Sequence, residues 1–210
     1  MGKYNEGILG FFRGKVGRVI GSVVRGVHYM KGLGDLRTDN PTPAQLDQRT
    51  KFALMTAFIK PLKTLIQTGF PTTKEGPSSL NLALSANLRH AIKGVSPNFS
   101  VDYEKFVFSS GNLPKPTGAH MQSTEDYTVA MTWENSGNVA PTDQATMLVY
   151  NPTQNIYVTL PNAGPRSAQS CELTVPTDFS GQTVHGWLSF VSADKKTVSP
   201  SVYVGSIIVM

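Results

Sequence analysis

Tyr127-Thr128-Val129-Ala130-Met131-Thr132-Trp133-Glu134 decides how the second half of this chain is read. Tyr127, Val129, Met131 and Trp133 alternate with Thr128, Ala130, Thr132 and Glu134. Successive side chains of a strand point to opposite faces, so this alternation describes a strand with one face buried and one wet. Runs of similar character lie on both sides, at residues 100–109, 146–150, 156–160, 171–175, 183–191 and 202–209. Turn-forming clusters separate them: Asn135-Ser136-Gly137-Asn138, Asn151-Pro152, the Pro161 to Pro165 stretch, Ser180-Gly181 and Ala193-Asp194-Lys195-Lys196. Short strands at this spacing predict an antiparallel, immunoglobulin-like β-sandwich over residues 118–210.

N-terminal to the sandwich the period is helical. Thr42-Pro43-Ala44-Gln45 is a helix start, with Thr42 as cap, Pro43 in the first helical position and Gln45 completing a capping box. Met55, Phe58, Ile59, Leu62, Leu65 and Ile66 recur at helical spacing, so a helix is predicted over 43–67 with a kink or break at Pro61. Ser78 or Ser79 opens a second helix, with Leu80, Leu84, Leu88, Ala91 and Ile92 on one face and Gly94 as its stop. Residues 43–117 are thus expected to be a helical region with a following strand.

Residues 1–42 have a different character. Gly7, Gly10, Gly14, Gly17 and Gly21 are spaced three and four apart, which would fit one stripe of a helix. Each glycine costs a helix roughly 1 kcal/mol relative to alanine. The intervening Val16, Val19, Ile20, Val23, Val24 and Val27 favour strands. A basic, glycine-rich β-hairpin turning at Arg25-Gly26 accounts for both. Such a hairpin has weakly specified register and presents an open edge, so it is expected to pair with something. The whole chain is therefore predicted to be α+β: a hairpin arm, two helices and a C-terminal sandwich.

Charge follows the same division. Residues 1–60 hold ten Lys/Arg against four Asp/Glu, and residues 111–210 hold four against seven. A basic front end suits an anionic partner, or head-to-tail attraction between copies of one chain. Charged residues make up 16% of the chain, below the roughly 25% of ordinary soluble domains, so uncharged polar side chains must dominate the surface. The single cysteine, Cys171, excludes an internal disulfide framework and reads as an inert strand residue. No secretory signal or membrane-spanning run is read, which implies a cytoplasmic chain when made, with release into a particle or the exterior left open.

Nothing points to catalysis. His28, His90, His120 and His185 show no metal-ligand spacing. Asp102/Glu104 and Glu125-Asp126 read as loop or strand-edge charges, and Asn98-Phe99-Ser100 as a chance sequon. The stretch from Gly10 to Gly17 lacks the Gly-Lys-Ser/Thr ending of a phosphate loop, so no cofactor and no metal are expected. The candidate interaction residues are Arg13, Lys15, Arg18, Arg25, Tyr29 and Lys31. Cations with aromatics can track phosphates and stack bases, but apolar residues separate three of the five cations, so in a strand they are not all expected to share one face.

Two resemblances extend these readings. Gly7-Ile8-Leu9-Gly10, Gly14-Lys15-Val16-Gly17-Arg18-Val19-Ile20-Gly21, Asn40-Pro41-Thr42-Pro43-Ala44-Gln45 with Gln48-Arg49 and Lys51-Phe52, Thr183-Val184-His185 and Phe190-Val191-Ser192-Ala193-Asp194 together resemble an uncharacterised Bacteroidota family. That family is the domain of unknown function six-two-six-six. The resemblance implies one continuous architecture over nearly the whole chain and brings no catalytic residues. Trp133, Tyr150 and the closing Ser199-Pro200-Ser201-Val202-Tyr203 are similar to a fibronectin type III arrangement. The expected function is a non-enzymatic structural protein that self-assembles into a filament, sheath or virus-like particle through its N-terminal arm. A nucleic-acid binder using the same arm, and a glycan or surface binder using the sandwich, are the alternatives.

Overall fold

The computed structural model describes residues 3–4, 10–35, 39–73, 76–124, 127–135 and 139–210. Gly7 to Leu9, the Glu125-Asp126 pair and the turn at 136–138 lie outside them. The chain divides into two compact units, one formed by residues 1–42 with 72–77 and the other by 43–71 with 78–210.

The first unit is a four-stranded antiparallel sheet of β1 (Lys3–Tyr4), β2 (Phe12–Val16), β3 (Val19–Val24) and β4 (Val27–Gly32), in that order. The expected hairpin is present as β3–β4, turning at Arg25-Gly26, where both residues have positive φ. That is the turn whose twist matches the strands it joins. A second tight turn at Gly17-Arg18 divides what the sequence suggests is one strand over 16–24. Gly17, at φ 58, supplies the positive φ that this turn needs in its first position.

In the second unit, α1 (Pro43–Ile59) begins at Pro43 as expected. Pro61 has no N–H for the ladder, and a single 3-10 turn at Lys60–Leu62 replaces the α-helix before α2 (Lys63–Gly69). α3 (Ser79–His90) is capped by Ser78, whose hydroxyl accepts from the Asn81 N–H at 3.3 Å. It stops at His90, not at Gly94. Ile92 and Gly94 belong to β5 (Ile92–Val95), which pairs with β6 (Asn98–Val101). Gly94 has φ 100, and a Cβ there would run into the Asn98 carbonyl, so the glycine serves a close strand pair.

The expected strand over 100–109 ends at Val101. Beyond it the backbone is satisfied by scattered partners: Asn87, fully buried, bonds both the N–H and the carbonyl of Val107, and Ser201 accepts from the Phe108 N–H. Phe106 and Phe108 enter the core from this irregular segment.

Among the described residues the sandwich has seven strands. β7 (Thr117–Thr124), β8 (Thr128–Glu134), β9 (Gln144–Asn151), β10 (Ile156–Pro165), β11 (Ser170–Thr174), β12 (Thr183–Val191) and β13 (Val202–Ile208) are all antiparallel to their neighbours. One sheet runs β11-β8-β7 and the other β10-β9-β12-β13, the split of an immunoglobulin-like fold. Val129, Met131 and Trp133 are buried between the sheets, as the opening alternation requires. β10 runs through the Pro161–Pro165 stretch by way of a bulge between Leu160 and Gly164, where a turn was expected.

The helices cover the other face of the four-stranded sheet. Met55, Phe58, Ile59, Leu62 and Ile66 share a core with Leu148, Tyr150 and Trp187. Among the described residues no helix is long and apolar enough to cross a membrane.

Candidate interaction surface

The pairing register of the first unit assigns every side chain to a face, because residues opposite each other in an antiparallel pair point the same way. Lys15 pairs with Ile20 and Ile20 with Lys31, while Ser22 pairs with Tyr29. Arg13 lies two residues from Lys15. Arg13, Lys15, Tyr29 and Lys31 therefore share one face with Ile20 and Ser22, and all four are exposed. Three of the five cations share this face, and the five do not all share it. Antiparallel register aligns residues that sequence separation keeps apart.

Arg18 and Arg25 lie in the two turns instead. Arg18 pairs with Asp35 at 2.9 Å, with both side chains well exposed. Arg25 donates to the carbonyls of Thr73, at 2.7 Å, and Gly76. Thr73 and Gly76 are thus tied to the hairpin tip by the guanidinium.

The opposite face is apolar. Val16, Val19, Val23, His28 and Met30 lie on it, with Gly14, Gly21 and Gly32 between them. Phe11 stacks on the His28 ring at a centroid distance of 3.7 Å. A Cβ at Gly21 would meet the Phe12 carbonyl and ring, so glycine lets β2 and β3 lie close beneath that ring.

All six residues of β4 are exposed, and β4 is an edge of the sheet. Of the fourteen large hydrophobic side chains exposed among the described residues, eight lie from Phe11 to Leu33, and Met30 at 71% is among the most exposed. These apolar positions were not singled out by sequence reasoning. Their signal was present in the valines, whose burial the alternation alone cannot assign when neither face is covered.

His28, His90, His120 and His185 fall on four different elements, β4, α3, β7 and β12. Among the described residues no three His, Cys, Asp or Glu side chains gather as a metal site. His185 joins an aromatic cluster with Tyr103, Trp187 and Tyr203, its Nδ1 lying 2.8 Å from the Tyr203 hydroxyl. Burial, with Lys93 nearby, pushes its pKa down from the ordinary histidine value. Burial pushes Tyr103 up, Tyr150 up to about 12, and Tyr157 up as well. Neutral rings in a packed cluster hold a fold together. Cys171 is buried, and its thiol is pushed up to about 12 by burial and by Glu172, so it is a poor nucleophile.

A family model described as a family of unknown function (DUF6266) matches residues 11–205. Solved structures similar to part of the chain include the fn3 domain of human collagen alpha-1(XX) chain, at 13% identity and a TM-score of 0.35, covering 48% of this chain and 89% of that one. Another is the fn3 domain of human contactin 1, at 7% identity and a TM-score of 0.35, covering 48% and 81%. No curated protein matches.

Proposed function

The chain belongs to the family of unknown function DUF6266, and from that premise we propose a non-enzymatic structural protein that self-assembles through its N-terminal sheet. The observation that carries this reading is β4: an edge strand, exposed along its whole length, on a sheet whose apolar face is also exposed. An open edge of this kind templates another strand. The partner is a second copy of the chain, whose β4 adds antiparallel to the first.

The ladder identifies the groups that would pair. Arg25-Gly26 is a two-residue loop, so Val24 and Val27 exchange hydrogen bonds, and every second pair after them does the same. The Leu33 N–H bonded to the Arg18 carbonyl at 2.6 Å keeps that phase. Val27, Tyr29 and Lys31 thus direct their N–H groups at β3, and His28 and Met30 direct theirs outward. Met30→Pro removes an outward donor while leaving the β3–β4 ladder whole. Light scattering over a range of concentrations is the test. The full chain should gain mass with concentration and Met30→Pro should stay monomeric. A full chain that is monomeric throughout, or a Met30→Pro chain that assembles unchanged, would overturn the proposal.

One observation favours a second reading. Arg13, Lys15 and Lys31 flank Tyr29 on one exposed face, an arrangement that suits a single-stranded nucleic acid. Three phosphate contacts give a log-affinity against log-salt slope of about −2 for a single strand. Absent or salt-independent binding would exclude it.

A further inference from the structure

The helix-covered face of the four-stranded sheet is apolar along most of its length. Cross-strand partners Tyr150 and His185, then Leu148 and Trp187, point towards the helices. The next pair on that face is Thr146 and Ser189. Both are buried, at 4% and 1% exposure, and the Ser189 hydroxyl has no hydrogen-bond partner. A buried hydroxyl left without a partner is destabilising, because it has given up its bonds to water. Alanine or valine would pack there without that cost.

The pair forms the floor of a pocket of about 150 Å³. Leu65 and Thr68 of α2, with Phe108 and Val191, make its walls. Gly69 allows the end of α2 to reach this wall, since a Cβ there would strike the Phe108 carbonyl. Asn162, in the bulge of β10, and Lys195, in the turn after β12, stand at the mouth. Both are non-glycine residues held at positive φ, 56° and 59°. Backbone held in this region is one way a fold fixes a side chain where a ligand is gripped. Asp194, next to Lys195, is engaged by Ser192 and by Lys196. Lys195 is the charged residue of the lining.

We propose that this pocket binds a small hydroxylated carboxylate with an apolar body. The carboxylate meets Lys195 and Asn162 at the mouth, the body rests on Leu65, Phe108 and Val191, and the distal hydroxyl pairs with Ser189 and Thr146 at the floor. A space of this volume holds about one benzene ring, so 4-hydroxybenzoate is a suitable probe, with benzoate lacking the ring hydroxyl and 4-hydroxybenzyl alcohol lacking the carboxylate charge. Titration of the full chain followed by backbone amide shifts should give saturable changes at Asn162, Ser189 and Lys195 with 4-hydroxybenzoate. Binding should be roughly fivefold to tenfold weaker for each truncated probe, as the loss of one hydrogen bond implies. Ser189→Ala should stay folded and bind 4-hydroxybenzoate no better than benzoate. Lys195→Met should abolish the preference for a carboxylate over the alcohol. Absence of saturable shifts at these residues, equal binding of all three probes, or a Ser189→Ala chain that keeps the preference for the hydroxyl would each overturn the proposal.

Discussion

Arg166 is fully buried, an unusual place for a guanidinium. Its Nη1 lies 3.7 Å from Asp143, longer than a hydrogen bond, and 3.0 Å from the Pro114 carbonyl. It stacks over the Phe190 ring at 4.1 Å, and its own carbonyl accepts from the Trp133 indole. Burial pushes the Asp143 carboxyl up and Arg166 down, while each charge opposes the shift of the other. Removing one partner leaves the other charge buried alone. Asp143→Ala should therefore cost about 3 kcal/mol or more in urea unfolding. His185 gives a pH signature. Its folded pKa is depressed, so below the unfolded value of about 6.5 the unfolded chain takes up the proton first and stability falls with pH. The loss grows until the folded pKa is passed. His185→Gln should flatten the stability profile from pH 7 to pH 5, and an unchanged slope would mean that another group carries it.

At the scale of elements, helix ends and strand ends behaved differently. Pro43 and Pro61 act through their own backbone chemistry and Ser78 through a hydroxyl that reaches only three residues on, and each marks a boundary where local reasoning puts it. Ser78→Ala should cost about 1 kcal/mol by loss of the cap, read from the unfolding midpoint. Gly94 looks like a helix stop yet sits in a strand, because a positive φ serves a close strand pair as well as a helix end. β7, with Gly118, His120 and Gln122 in it, carries little strand propensity and was not anticipated. It forms because β8 offers it an edge, with Met121 opposite Met131. Gly69→Ala should destabilise the chain by about 1–3 kcal/mol through overpacking against Phe108, measurable by thermal unfolding.

For the whole molecule, two units of different character lie on one chain. The larger one buries its apolar residues in two clusters, one between the sheets and one under the helices. The smaller one leaves Val16, Val23, Val24, Val27, Tyr29 and Met30 exposed, and a four-stranded sheet so exposed gains most by pairing. Raising salt should leave the proposed assembly through β4 largely intact, because backbone pairing and apolar burial are weakly screened. Contacts through Arg13, Lys15 and Lys31 should weaken. Light scattering at low and high salt separates the two. The sequence alone determined the strand periods, the proline breaks and the class of fold, since these depend on each residue's own backbone and on neighbours a few positions away. The same is true of the turn at Arg25-Gly26 and of the buried face that runs through Val129, Met131 and Trp133. Only the tertiary structure decided that Arg13, Lys15, Tyr29 and Lys31 share a face, and that Thr146 and Ser189 meet beneath α2. Register across strands joins residues that are distant along the chain, and no local pattern encodes it.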